Sequence, residues 1–119
     1  DGDLSSAWTT VCYSSKYSGK NGVGLVADLG SDRTGTLTVA LGSAPYQVWV
    51  YAATGQQPTS FAAWGEPVKK FDGTDAATLA VQIDQPARYV LVAFKELGTG
   101  SDCSNDNPYR GIVNEIGFS

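Results

Sequence analysis

Apolar and polar residues alternate with a period of two over residues 37–41 and again over 78–83. Alternation of this kind is typical of strands that bury one face and expose the other. Other short apolar runs lie between turn-like segments rich in Gly, Pro, Asp and Ser, which is the usual punctuation of strands. These runs cover residues 24–30, 46–53, 68–71, 88–94 and 112–118, while 61–64 fits no pattern and 98–111 is a polar loop.

The apolar spacing of an amphipathic helix does not persist for three turns anywhere in the chain. The sequence therefore predicts an all-β protein, an antiparallel β-sandwich or jelly roll with about eight strands. Residues 88–94 form the most continuously apolar run, so we expect a central strand there. Without an internal repeat or a linker, residues 1–119 are predicted to form a single domain.

Composition and charge argue against several classes of function. Eight Lys and Arg residues face 12 Asp and Glu residues, which gives a net charge of −4, and the basic residues do not cluster along the chain. We therefore expect no nucleic-acid partner. The chain has no histidine, and no pair of acidic residues or phosphate-binding glycine loop stands out, so we expect a protein that is not an enzyme. We also expect that the protein requires no cofactor.

The two cysteines leave two alternatives. Two cysteines and no histidine do not supply the four ligands of a structural zinc site. Cys12 and Cys103 are therefore either disulfide-bonded or two buried thiols, and the sequence favours the bond. It would close a loop of about 90 residues and stabilise the fold by on the order of 4 kcal/mol. A disulfide also indicates an extracytoplasmic location. Since residues 1–3 do not resemble a signal peptide, we expect a domain excised from a longer secreted or membrane-anchored protein.

A Cys12–Cys103 bond would hold its two Cα atoms about 4–7 Å apart. Loop 14–22 would then lie beside loop 98–111. Aromatic rings, amides and charges gathered in this way suit a sugar or a peptide. Alternatively, these are ordinary solvated loop residues, and the tyrosine that follows Pro108 closes one end of the sandwich. The candidate ligand-binding residues here are Lys16, Tyr17, Asn107, Tyr109 and Arg110.

The three tryptophans have different expected roles. Trp8 is predicted to belong to the core and Trp49 to be covered within its strand. Trp64 lies beside turn residues and is the candidate for an exposed platform on which a sugar ring stacks. The alternative is burial, which is usual for large aromatic residues.

Four segments resemble the discoidin, or coagulation factor 5/8 type C, family. Residues 1–8 are similar to that family's Asp-Gly-Asp-x-x-Thr-Ala-Trp signature, with Ser6 in place of threonine. Residues 24–30 resemble its Val-Asp-Leu-Gly strand, 88–90 its Ala-Arg-Tyr-Val strand and 113–116 its final Val-x-Glu-Ile strand. The resemblance implies a galactose-binding-like jelly roll, a fold that many carbohydrate-binding modules share.

The same resemblance implies a ligand class and a metal site. The expected function is an extracytoplasmic binding module for carbohydrate or cell-wall glycan such as peptidoglycan. The alternatives are a protein-interaction or scaffold domain without a small ligand and, less favoured because loop 14–22 is polar, a membrane-binding domain. Relatives bind a structural calcium, for which the matching side chains are Asp1, Asp3, Ser6 and Glu115; the alternative for residues 1–3 is a simple turn.

A narrower resemblance concerns the sequences of residues 22–30 and 88–92. It is similar to actinobacterial cell-surface proteins, including the extracytoplasmic C-terminal domains of MviN/MurJ-type lipid II flippases. This implies a parent protein that is anchored in the membrane.

We predict that reduction changes both the mass and the stability of the protein. Under denaturing conditions, reductant should add two hydrogens to the intact mass, and Cys12→Ser should lower the free energy of unfolding by about 4 kcal/mol. Mass spectrometry and urea denaturation measure the two effects. An unchanged mass would leave the two cysteines as thiols and remove the argument that joins the two loops.

Overall fold

The protein was analysed as a computed structural model. It describes residues 3–5, 8–9, 23–42, 46–60, 62–73, 78–99 and 103–119, with the backbone alone at 3–5, 8–9, 23 and 99. Nine β-strands and one turn of 3₁₀ helix, Ala62–Trp64, lie within these ranges. The strands are β1 (Asp3–Ser5), β2 (Trp8–Thr9), β3 (Val23–Leu41), β4 (Tyr46–Ala53), β5 (Lys69–Gly73), β6 (Thr78–Glu96), β7 (Gly98–Thr99), β8 (Tyr109–Arg110) and β9 (Ile112–Phe118).

Seven of these strands form one antiparallel sheet. Its order is β1-β9-β3-β6-β4-β5, and β2 also pairs with β9. The short strands β7 and β8 pair with each other. The all-β, antiparallel prediction is thereby confirmed.

Two strands of 19 residues, β3 and β6, organise the sheet. They pair from Val23 opposite Phe94 to Ala40 opposite Thr78, with register shifts on both sides of Arg33. The first half of this ribbon, 23–28 with 89–94, lies beside β4, whereas the second half of β3 lies beside β9. Buried residues from both halves belong to one apolar cluster, so the sheet folds over on itself. This arrangement agrees with the predicted β-sandwich or jelly roll.

The prediction of about eight separate strands was wrong in its details. Residues 24–30 and 37–41 are parts of one strand, and so are 78–83 and 88–94. The turn-like residues between them form the bend of the ribbon, where backbone pairing is interrupted and then resumes. The main sheet consequently has seven strands, and the polar segment 98–111 contains the β7–β8 pair.

The core follows the predicted alternation. Leu37, Val39, Val81 and Ile83 are all 2% exposed or less. On the other half of the ribbon, residues 90–94 are buried on both faces. Val90, Val92 and Phe94 face the main cluster, while Leu91 and Ala93 join a smaller one on the outer face of the sheet. The prediction of a central strand at 88–94 is confirmed.

Gly35 lies at the second register shift and has a φ of +156°. A Cβ at this position would lie 2.5 Å from the carbonyl oxygen of Ser119 and 3.1 Å from two ring carbons of Phe118. The backbone of Ser119 exchanges two hydrogen bonds with Thr36, of 2.9 and 3.1 Å. The close approach of these strands therefore requires a residue without a side chain.

We predict that Gly35→Ala lowers the free energy of unfolding by about 3 kcal/mol, because the clash adds to the backbone strain. The matched control is Gly55→Ala, where φ is +72° and nothing lies within 4 Å of the added Cβ. Strain alone should cost about 1 kcal/mol there. Urea denaturation of both variants gives the comparison, and equal losses would show that the contact with the last strand contributes nothing.

Candidate functional site

The loop site predicted from the sequence is described only in part. Lys16 and Tyr17 lie outside the described residues. Asn107 is exposed, and its backbone N–H donates to Ser104 Oγ at 3.2 Å. Arg110 is half-buried in β8 opposite Gly98. Whether these residues bind a ligand stays a prediction.

Tyr109 is half-buried and packs against the main apolar cluster. It lies in β8, opposite Thr99 of β7. This packing favours the alternative that the sequence left open, in which the tyrosine closes one end of the sandwich. Any contact of this residue with a ligand would be made by the remaining exposed part of its ring.

The predicted disulfide involves one cysteine inside and one outside the described ranges. Cys103 is half-buried, and the described part of the chain holds no free cysteine. Cys12 is its sole counterpart in this sequence, but that residue lies outside the described ranges. The Cys12–Cys103 bond therefore stays a prediction.

The predicted calcium site is described at one of its four side chains. Glu115 is exposed in β9, and the backbone of Asp3 pairs with Gly117 of the same strand. This register brings the start of the chain close to Glu115, as the calcium hypothesis requires. Asp1 and Ser6 lie outside the described residues, as does the side chain of Asp3, and no cluster of three acidic or cysteine side chains occurs among those described. Calcium stays a prediction.

A groove of about 720 Å³ lies where β4 ends and β6 bends. Ala53 pairs with Tyr89, so antiparallel pairing places the segment after β4 beside residues 84–87, which precede Tyr89. Apolar surface from Ala52, Trp64 and Val68 lines the groove, together with prolines from both segments. The polar residues among those that line it are Thr54, Gln56, Gln57, Thr59 and Gln85.

Backbone hydrogen bonds fix the beginning and the end of the segment that forms the groove wall. At its beginning, the N–H of Gly55 donates to Asp32 Oδ1 at 3.1 Å, which ties the segment to the bend of β3. At its end, the N–H of Val68 donates to the carbonyl of Val50 at 2.7 Å. Between these points Ser60 caps the 3₁₀ turn, because its Oγ and its carbonyl both accept from the N–H of Ala63, at 3.3 and 3.2 Å.

Of the two alternatives that the sequence left open for Trp64, burial is confirmed and the exposed platform is contradicted. Its side chain is 8% exposed and packs with Tyr51, Leu91 and Ala93 on the outer face of the sheet. The flanking turn residues suggested exposure, but the 3₁₀ turn directs the indole ring onto the sheet. Trp64 still contributes to the lining of the groove. Its ligand-binding role is untested.

A second, smaller compartment of about 310 Å³ adjoins the groove. The two compartments share Ala52, Val68 and Gln85, so they lie next to each other. Val68 is 45% exposed, and among the described residues it is the one large apolar side chain that is exposed. Asp84 lines the second compartment beside Gln82.

The groove has a neutral lining in its larger compartment. The nearest basic residue along β6 is Arg88, whose guanidinium forms hydrogen bonds of 3.0 and 3.3 Å with the two carboxylate oxygens of Asp28. These bonds, followed by the one from the N–H of Gly30, lower the pKa of Asp28. The positive charge of Arg88 is therefore already paired.

Tyr51 lies beneath Trp64 in the smaller apolar cluster. Burial, followed by the negative charge of Glu66, raises the pKa of its phenol. The folded protein thus retains this proton at a pH where the unfolded chain has lost it. Stability consequently falls as the pH rises above the ordinary tyrosine range.

The sequence did not point to the glutamines of the groove. The signal was present, because the two turns that meet there have similar composition, Gln56-Gln57-Pro58 in one and Gln85-Pro86 in the other. The sequence alone does not show the pairing of β4 with β6, which brings the two turns together.

Trp49 is half-buried on the outer face of the sheet, between two lysines. Lys70 Nζ lies 4.2 Å from the centroid of its ring and Lys95 Nζ lies 4.9 Å from it. Burial lowers the pKa of Lys95. Because both ammonium groups lie over the ring, Trp49 is a poor platform for a sugar.

The described part of the chain contains no helix with the length and apolar character of a membrane span.

Comparison with known proteins gives structural neighbours only. No family model and no curated protein sequence matches the chain. Three solved structures illustrate the likeness. A mutant of chitosan-binding module 1, from a chitosanase/glucanase of Paenibacillus sp. IK-5, has a TM-score of 0.64 and 17% identity over 99% of this chain and 78% of that one.

The second is the CBM32 module of AlyQ in complex with 4,5-unsaturated mannuronic acid, with a TM-score of 0.61, 18% identity and coverage of 100% and 81%. The third is the family 32 module of NanJ from Clostridium perfringens in complex with galactose, with a TM-score of 0.58, 16% identity and coverage of 99% and 79%. Identities this low show the fold alone. They show that the chain shares the fold of these carbohydrate-binding modules and give no support to a flippase as the parent protein.

We predict that Trp64→Ala destabilises the protein by about 3–5 kcal/mol, because it removes a buried indole from the smaller cluster. Val68→Ala, at an exposed position in the same groove, should change stability by about 0.5 kcal/mol or less. Urea denaturation measures both. A small effect of Trp64→Ala would contradict the structural role assigned to this residue.

Proposed function

We propose that the protein is a non-catalytic module that binds carbohydrate, and that the groove between residues 52–68 and 84–87 is its binding site. The lining carries this proposal: three glutamine amides and two threonine hydroxyls surround an apolar surface of alanine, proline, valine and tryptophan. Amides and hydroxyls can bond sugar hydroxyl groups, and the apolar surface can pack against the C–H face of a sugar ring. The volume falls within the roughly 300–1,000 Å³ usual for small-molecule sites.

The same lining argues for binding without hydrolysis. Glycosidases generally use two carboxyl groups on either side of the scissile bond. Within the described part of the chain, Asp84 supplies the one carboxylate that lines the two compartments. The chain also contains no histidine that might act as a general base.

The structural neighbours support the ligand class. They include a module described as chitosan-binding and modules in complex with mannuronic acid and galactose. Cell-wall glycan as the natural ligand, an extracytoplasmic location and a membrane-anchored parent protein are further parts of the proposal. The Cys12–Cys103 disulfide and a structural calcium near Glu115 belong to it as well.

We predict that the affinity for glycan resides in the groove and not in loops 14–22 and 98–111. Gln57→Ala and Gln85→Ala should each weaken binding about tenfold, because each removes an amide that bonds the sugar. Both side chains are exposed, so the fold should tolerate the changes. A glycan array identifies a ligand, and isothermal titration calorimetry then measures its affinity for each variant.

Variants in loops 14–22 and 98–111 are the matched controls. Tyr17→Ala and Asn107→Ala should leave the affinity within twofold of the parent value. The opposite result, loss of binding in these variants alone, would move the site to the predicted loops. Absence of binding to any glycan would overturn the carbohydrate proposal and favour the protein-interaction domain.

A further inference from the structure

We infer that the groove takes an oligosaccharide of at least two units and that the unit in the smaller compartment is a cationic amino sugar. This inference rests on the proposed function and specifies its ligand. It follows from the shape of the two compartments and from the charges that line them.

The shape favours more than one sugar ring. The larger compartment, of about 720 Å³, adjoins the smaller one, of about 310 Å³, along Ala52, Val68 and Gln85. Val68 is exposed at this junction and offers an apolar surface to a ring that crosses it. Gln85 lines both compartments, so its amide can bond the hydroxyl groups of two successive units.

The charges differ between the two compartments. Among the described residues, no acidic or basic one lines the larger compartment, and Asp84 is the one charged residue that lines the smaller. Asp84 is exposed and forms no ion pair with any residue in the described ranges. Arg88, four residues further along β6, is already paired with Asp28. A ligand in the smaller compartment therefore meets a negative charge that no described residue compensates.

This arrangement distinguishes three classes of sugar. An ammonium group beside Asp84 gains charge-assisted hydrogen bonds, which are roughly twice as strong as neutral ones. A neutral or N-acetylated unit retains the amide contacts without that gain. A uronic acid unit places a carboxylate beside Asp84 with no basic residue to offset the repulsion, so it should bind least well.

The test compares three oligosaccharides of equal length by isothermal titration calorimetry at low ionic strength. They are an oligomer of glucosamine, the corresponding N-acetylglucosamine oligomer and a uronic acid oligomer, at a pH where the amine is protonated. We expect the parent protein to bind the glucosamine oligomer about tenfold more tightly than the N-acetylated one. We expect the weakest binding for the uronate.

Two charge-matched variants locate the effect. Asp84→Asn should abolish the preference for glucosamine, because both oligomers then meet a compartment without the carboxylate. Asp106→Asn removes the same charge from an exposed position in the loop between β7 and β8, and should leave the preference intact. Raising the salt concentration should reduce the preference of the parent protein and have little effect on Asp84→Asn.

The outcomes separate this inference from the proposed function. Equal binding of all three oligomers, or an undiminished preference in Asp84→Asn, would overturn the inference while leaving carbohydrate binding in place. Preference for the uronate would overturn it as well. Failure of all three oligomers and of a wider glycan array to bind would overturn the proposed function itself.

Discussion

The bend in the paired strands β3 and β6 is the constraint on which the rest of the structure depends. Each strand has to contribute to both layers, so the ribbon must change direction without losing its pairing. The register shifts on both sides of Arg33 accomplish this, and Gly35 permits the close approach of the last residues of the chain. Once the ribbon is bent, the positions of β4 on one half and β9 on the other follow from hydrogen bonding alone.

The groove is a product of the same bend. Where the ribbon changes direction, residues 84–87 leave the regular ladder and face the segment that follows β4. Backbone atoms and glutamine side chains are thus gathered at a point where neither layer covers them completely. Trp64 closes the outer side of this region by packing on Leu91 and Ala93. The tryptophan therefore supports the wall of the groove more than it presents a binding surface.

Much of the fold could be predicted from the sequence because burial leaves a local signal. The alternation at 37–41 and 78–83 and the continuous apolar run at 88–94 correspond to strands with one or two buried faces. The merging of strands and the groove could not be predicted in this way. Both depend on pairing between residues far apart in the chain, as Ala53 with Tyr89 illustrates. The burial of Trp64 was only one of two alternatives for a related reason: its neighbours in sequence are turn residues, whereas its neighbours in space are apolar.

The hydrogen bonds of Gly55, Ala63 and Val68 have a thermodynamic consequence for any ligand of the groove. Because folding has already ordered this wall, binding need not order it again, and the conformational entropy that a flexible loop would lose on association is not spent. Recognition should then approach a rigid, lock-and-key process, with little backbone movement between the free and the bound states. Pre-ordering of this kind lowers the entropic cost of association and so favours affinity.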